Sequence, residues 1–130
     1  MSVFEEILTA VIGLAQATHP FSTITIGALP ADNGICMAYA SGAPQTTFLD
    51  KGMAYQQTIV CNGKHTSQET LASALGSIHI ALTQAKDYPT AQTWQITDIE
   101  TISAPSYLGR EQNSQWLYGS SLRVKFYLRS

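Results

Sequence analysis

The residues with the greatest potential for chemistry are three histidines and two cysteines. Cys61 and His65 stand four residues apart, so both could approach one metal ion. Structural zinc sites need four ligands, and no CxxC or HxxxH motif supplies the others. We therefore expect no metal site. Cys36 and Cys61 fall within strand-like patterns, and we expect both thiols to be free and buried.

A nucleophile with a neighbouring base is also missing from the sequence. Neither cysteine lies at a helix start or beside a basic cluster, and GxSxG and glycine-rich phosphate motifs are absent. Asp98 and Glu100 would lie about 7 Å apart on one strand face, a spacing that suits two-carboxylate chemistry. An exposed pair of charges is the simpler interpretation. We expect His79, beside the apolar face of a helix, to be packed or solvated. The sequence predicts no enzyme activity and no cofactor.

The composition favours one domain spanning residues 1–130 that works among protein partners. Only 12% of the residues are charged, against about 25% in an average soluble domain. Amides and hydroxyls tolerate a desolvated interface better than lysines do, although a neutral monomer would show the same composition. The net charge of −2 argues against nucleic acid as a specific partner. No apolar run is long enough to span a bilayer, so we expect no membrane association and synthesis in the cytoplasm.

Two helices are predicted, each by a capping box followed by apolar residues at helical spacing. The first box is Ser2 to Glu5, and its helix should run from about Val3 to Ala17, before Pro20. The second box is Thr66 to Glu69, and its helix should end near Asp87. Its expected buried face comprises Leu71, Ala74, Leu75, Ile78, Leu82 and Ala85.

Alternating apolar and polar residues predict six strands. Phe21–Ala28 and Ile35–Ala40 should form a hairpin; the other strands are Thr46–Leu49, Met53–Cys61, Trp94–Ile102 and Trp116–Leu128. The pattern slips near Asp98, which predicts a bulge there. Ala104–Ser114 should be a loop, mobile in a free subunit and ordered in an assembly. The fold class is therefore α+β, in the order α-β-β-β-β-α-β-β, with two helices on one face of a mostly antiparallel sheet.

The last strand carries a basic stripe, which we define as Arg123, Lys125 and Arg129. These residues alternate with apolar ones, so they should share the face turned away from the core. They could be solvated charges that discourage edge-to-edge aggregation. The alternative is that the stripe contacts acidic groups on a neighbouring subunit.

Several segments in this order resemble one family. They are Ile26-Gly27-Ala28-Leu29-Pro30, Gly34-Ile35, Phe48-Leu49-Asp50-Lys51-Gly52, Gln68-Glu69-Thr70-Leu71-Ala72, Ala104-Pro105 and the Trp116–Leu128 strand. Their order, over nearly the whole chain, resembles the minor capsid proteins of tailed bacteriophages that infect Gram-positive bacteria. These are similar to tail-terminator, or head–tail joining, proteins.

The resemblance implies a non-enzymatic subunit that forms a ring capping the tail tube and meeting the head connector. Tail tube protein and connector proteins would be its partners. It would assemble in the host cytoplasm and enter the virion, or be prophage-encoded in a bacterial cytoplasm. The expected interface comprises the basic stripe and five loop residues, namely Tyr107, Leu108, Gly109, Arg110 and Glu111.

A small-ligand-binding module is the alternative. A curved sheet backed by helices can hold a ligand in its concave face, and four aromatic residues could line such a site: Tyr39, Tyr55, Trp94 and Trp116.

Overall fold

Two helices lie on one face of a five-stranded sheet in the computed structural model, which describes residues 2–47, 53–111 and 114–129. Helix α1 spans Val3–Gln16, and the Ser2 hydroxyl accepts the Glu5 N–H at 3.2 Å, as the first capping box predicts. Helix α2 spans Gln68–Thr83. Its cap is Ser67 rather than Thr66, and it ends before the expected boundary near Asp87.

The strands are β1 Ile24–Ile26, β2 Gly34–Thr47, β3 Met53–His65, β4 Trp94–Arg110 and β5 Trp116–Leu128. They lie in the order β1-β2-β3-β5-β4, and every neighbouring pair except β1–β2 is antiparallel. The predicted α+β class with a mostly antiparallel sheet is confirmed. The chain order is α-β-β-β-α-β-β, with one strand fewer before α2 than predicted.

The predicted hairpin between the first two strands is wrong, because β1 runs parallel to β2, pairing Ile24 with Ile35 and Ile26 with Met37. An alternating pattern fixes the face on which each side chain lies, but it reads the same in both directions along the chain. The residues predicted as separate strands at 35–40 and 46–47 form one strand. Register shifts after Tyr39 and Pro44 accommodate the intervening turn formers. Phe48 to Gly52, including the expected turn, lie outside the described residues.

Strands β4 and β5 form a long antiparallel hairpin. The predicted bulge is confirmed: Ile96 pairs with Phe126 and Asp98 with Lys125, which leaves Thr97 as the extra residue. The predicted loop from Ala104 is wrong as far as Arg110, because that segment continues β4. Its residues are mostly exposed and two further register shifts interrupt it, between Ser103 and Ser106 and between Tyr107 and Gly109, so no apolar alternation marks it as a strand.

The core lies between the helices and one face of the sheet. It is built from apolar side chains of both helices and all five strands, among them Ile7, Val11, Leu71, Leu75, Ile78, Ile24, Ile35, Ile59, Ile99, Leu122 and Phe126. The opposite side of the sheet, here called the open face, carries polar residues such as Thr58, Ser121 and Arg123. Along β3 and β5, these residues and their cross-strand partners alternate with the buried core residues. The helices therefore leave one side of the sheet free of secondary structure within the described residues.

Candidate functional site

The two cysteines are free and buried, as predicted. Cys61 pairs with Met37 and Cys36 with Asn62, so the two thiols are on opposite sides of the sheet. Burial raises the pKa of Cys61 to about 12, and it also raises the pKa of Cys36. Since the thiolate is the reactive form, neither thiol is suited to nucleophilic chemistry at neutral pH.

His65 has a structural contact in place of the considered metal contact. Its Nδ1 accepts the Ser67 N–H at 2.8 Å, which fixes the chain at the start of α2. The ring also packs edge-on against Phe21, with centroids 4.6 Å apart. Across residues 2–47, 53–111 and 114–129, no group of three His, Cys, Asp or Glu residues is placed to hold a metal ion. No helix in these ranges is long and apolar enough to cross a membrane.

Asp98 and Glu100 both have partners in the chain. Asp98 Oδ1 accepts the Ile99 N–H at 2.9 Å, and Glu100 forms a salt bridge with Lys125 at 2.9 Å. The hydrogen bond from Lys125, followed by the charges of Lys125 and Arg123, lowers the pKa of Glu100. A carboxyl with a lowered pKa is a poor general acid near neutral pH. This arrangement does not favour two-carboxylate catalysis.

His79 joins α2 to the middle of β4. The side chain is buried, and its Nε2 lies 2.7 Å from the Thr101 hydroxyl. Burial lowers the pKa of His79, so the neutral imidazole is the preferred form in the folded protein. The packed role is confirmed.

The basic stripe is engaged within the chain. Lys125 pairs with Glu100, and Arg123 lies directly opposite Glu100 in the β4–β5 register. Arg129 follows the end of β5, and its guanidinium donates to the carbonyls of Ala91 and Gln92 and to Gln95 Oε1, at 2.8, 3.2 and 3.3 Å. The stripe thus holds neighbouring segments together, and its free charge is smaller than the sequence alone indicates.

The far end of β4 has the most exposed apolar side chains of that strand. We call Tyr107, Leu108, Gly109, Arg110 and Glu111 the hairpin end, the same five residues expected at an interface. Tyr107 and Leu108 are 54% and 60% exposed. The Tyr107 ring packs on Trp116 and Tyr118, and the Arg110 guanidinium lies 4.6 Å from the centre of the Trp116 ring. Leu108 lies over Gly119, on the face of the sheet opposite to these rings.

The hairpin end is held by polar contacts that the sequence did not reveal. Lys64 Nζ lies 3.0 Å from Glu111 Oε1, and the Lys64 side chain is only 8% exposed. Buried Gln115 accepts the Asn33 N–H at 2.9 Å, and Asn33 Oδ1 accepts the Thr66 N–H at 3.2 Å. These contacts bring the β1–β2 loop, the β3–α2 loop and the β4–β5 turn together at one end of the sheet. In the sequence, the residues around Lys64 show only a polar position, and they indicate neither its burial nor its partner.

A groove at the opposite edge of the sheet was also missed. It lies between α1 and the edge formed by β1 and β2, encloses a cavity of about 440 Å³, and is lined by Glu5, Leu8, Thr9, Ile26, Gly27, Ala38 and Tyr39. No sequence motif marks this groove, since its residues come from three separate elements.

The four aromatic residues of the alternative hypothesis do not line the open face. Tyr39 and Tyr55 pack edge-on against Phe4 of α1, with centroids 6.5 and 5.8 Å apart, on the helix-covered side. Trp94 is buried, and its indole N–H points to Glu6 Oε1 at 3.5 Å. Trp116 shares the helix-covered face with Leu122 and Phe126. The four residues therefore lie on the helix-covered side and do not build a ligand site on the open face.

Comparison with known proteins gives a match in fold. No family model matches the chain, and no curated protein matches it in sequence. Among solved structures, the chain is similar to one from the virion of a native gene transfer agent particle. The TM-score is 0.67 at 12% sequence identity, and the match covers 100% of both chains. The entire α+β architecture is therefore shared with a chain of that particle.

Proposed function

We propose that this chain is a non-enzymatic structural subunit of a phage-like virion, of the tail-terminator or head–tail joining type. In this role it assembles into a ring that caps the tail tube and contacts the head connector. The observation that carries the proposal is the full-length similarity in fold to a chain of a gene transfer agent virion. A match that covers 100% of both chains favours a similar role as a subunit.

The chemistry of the candidate residues supports the same proposal. The thiols are buried with raised pKa values, and His65 and His79 make packing and capping contacts. The carboxylates Asp98 and Glu100 are engaged locally. The exposed apolar side chains of the hairpin end, Tyr107 and Leu108, are suited to a surface for protein contact.

Both edges of the sheet are largely free within the described residues, and this supports self-association. Strand β4 pairs with β5 on one side, and on its other side it bridges only Thr90, at Gln95. Strand β1 covers only Ile35, Cys36 and Met37 of β2. A contact between two different edges of identical subunits is heterologous, and such contacts build a ring when the rotation closes.

The experiment is to purify the full chain and measure its mass in solution over a rising concentration series, up to about 200 µM. Interfaces with dissociation constants from micromolar to millimolar become populated in this range. The proposal expects a discrete oligomer well above the 14.1 kDa subunit and closed rings by electron microscopy. A mixture with a phage tail tube protein should show rings at tube ends. A chain that stays monomeric throughout, and forms no ring with tubes, would refute the proposal.

A further inference from the structure

The groove between α1 and the β1–β2 edge has an apolar wall that the chain itself leaves uncovered. Ile26 lies on the same strand face as Ile24, yet Ile24 is buried and Ile26 is 62% exposed. Leu8 and Tyr39 continue the wall, and the cavity that they line measures about 440 Å³. This volume falls within the range of sites that bury a large side chain or a small ligand.

The backbone beside the groove is a free strand edge. The Met37 carbonyl accepts the Gly27 N–H at 2.9 Å, so the polar backbone groups of Met37 face the β1 side. Because this direction alternates along a strand, the backbone of Tyr39 faces the same side. Beyond Met37, no strand in the described ranges pairs with this edge of β2. Free strand edges recruit further extended chains.

The charges of the groove and of the hairpin end are complementary. Glu5 is the one charged residue among those that line the groove. At the other edge of the sheet, Arg110 is exposed and stacks on Trp116, and within the described residues it forms no ion pair. Tyr107 also contacts Trp116, so the hairpin end presents an aromatic ring and a guanidinium on one side. The groove presents an apolar wall and a carboxylate.

We infer that the groove receives the hairpin end of a second copy of this chain, with Tyr107 in the cavity and Arg110 paired with Glu5. The inference rests on the proposed function as a ring subunit, and it names the two surfaces that meet. Within one chain the groove and the hairpin end lie at opposite edges of the sheet, along β1–β2 and along β4. They can therefore meet only between copies, and this contact propagates from subunit to subunit.

A charge exchange tests this pairing. The full chain is compared with Glu5→Arg, Arg110→Glu and the double variant, using sedimentation velocity at low and high salt. Like charges facing each other across an interface are strongly unfavourable, so each single change should weaken association at least about tenfold. The double change should restore it to within about threefold of the original. Tyr107→Ser should weaken association in both salts, because its contribution is apolar.

Two matched controls separate this effect from net charge and helix stability. Glu69→Arg places the same change in the first turn of α2, and Lys86→Glu reverses an exposed base outside both surfaces. Both should associate like the original chain, and all variants should keep cooperative thermal unfolding.

The outcomes distinguish the two proposals. Rings that form equally well from both single variants, or a double variant without recovery, would overturn the inferred contact and leave the ring proposal standing. An original chain that never associates would refute the ring proposal, and this contact with it.

Discussion

The ion pair between Lys64 and Glu111 leads to a prediction in which the two partners behave differently. The Lys64 side chain is 8% exposed and the Glu111 side chain 39%, with 3.0 Å between Nζ and Oε1. Glu111→Gln leaves an ammonium group buried without its anion. Lys64→Met removes the buried charge and leaves a carboxylate that water can reach. Loss of the anion should therefore destabilise the fold more than loss of the cation.

The exposure of the two groups sets the expected magnitudes. Breaking a fully buried pair by removing one partner costs about 3–5 kcal/mol. Water reaches Glu111, and a glutamine oxygen still accepts a hydrogen bond, so we expect about 1–3 kcal/mol for Glu111→Gln. Replacing a buried charge with an apolar side chain of similar volume is often neutral, so Lys64→Met should change the free energy of unfolding by less than about 1 kcal/mol.

Urea unfolding followed by tryptophan fluorescence measures all four proteins of the double-mutant cycle. The double variant Lys64→Met/Glu111→Gln should match Lys64→Met alone, so the coupling energy should equal the cost of Glu111→Gln, about 1–3 kcal/mol. Two results would refute the reasoning. One is a cost for Lys64→Met that equals or exceeds the cost for Glu111→Gln. The other is a double variant whose loss is the sum of the single losses.

Three further predictions concern the helix-covered side. Ile78→Ala should lower the free energy of unfolding by about 2–5 kcal/mol, and Ile80→Ala, on the exposed side of the same helix, should lower it by less than about 0.5 kcal/mol. Urea unfolding measures both, and equal losses would contradict the observed helix face. Gly63→Ala should destabilise the fold by about 1–3 kcal/mol, because the added Cβ would lie 2.7 Å from Leu71 Cδ1. The added Cβ of Gly76→Ala meets nothing within 4 Å, so this change should raise the melting temperature, because alanine has the higher helix propensity. Burial lowers the pKa of His79 in the folded state from its ordinary value of about 6.5. Below about pH 6.5 the unfolded chain therefore binds more protons than the folded chain, and stability should fall as the pH drops from there through the folded pKa. His79→Gln should flatten that part of the pH profile of the urea midpoint, and an unchanged profile would contradict this.

Much of the fold could be predicted where a local pattern is tied to a physical cause. The Ser2 cap and the helical period placed α1, strict alternation placed β5, and a slip in parity placed the bulge at Asp98. The direction of β1 and the extension of β4 to Arg110 could not be predicted. Alternation carries no strand direction, and a segment exposed on both faces has no apolar period to read.

The interface expected at Tyr107 to Glu111 stays a prediction, and the contacts of this segment could not be predicted from the sequence. In the structure, Tyr107, Leu108 and Arg110 lie exposed at one end of the sheet, while Gly109 and Glu111 are half-buried. The residues that hold this segment are distant in sequence: Lys64 is 47 residues from Glu111, and Asn33 is 82 residues from Gln115. No local pattern encodes which polar groups meet after the sheet has formed. The groove at Glu5, Leu8 and Ile26 could not be predicted for the same reason.

The contacts at the base of the hairpin end bear on how strongly it can associate. Ordering a loop on binding opposes association, and rigidity that folding already provides removes that cost. The salt bridge to Lys64, the hydrogen bond from Asn33 to Gln115 and the stacking of Arg110 on Trp116 fix this segment in the single subunit. The Tyr107 ring itself packs on Trp116 and Tyr118, so its position is supported before a neighbour arrives. It follows that Glu111→Gln should weaken association as well as stability, even though Glu111 itself is turned toward its own chain.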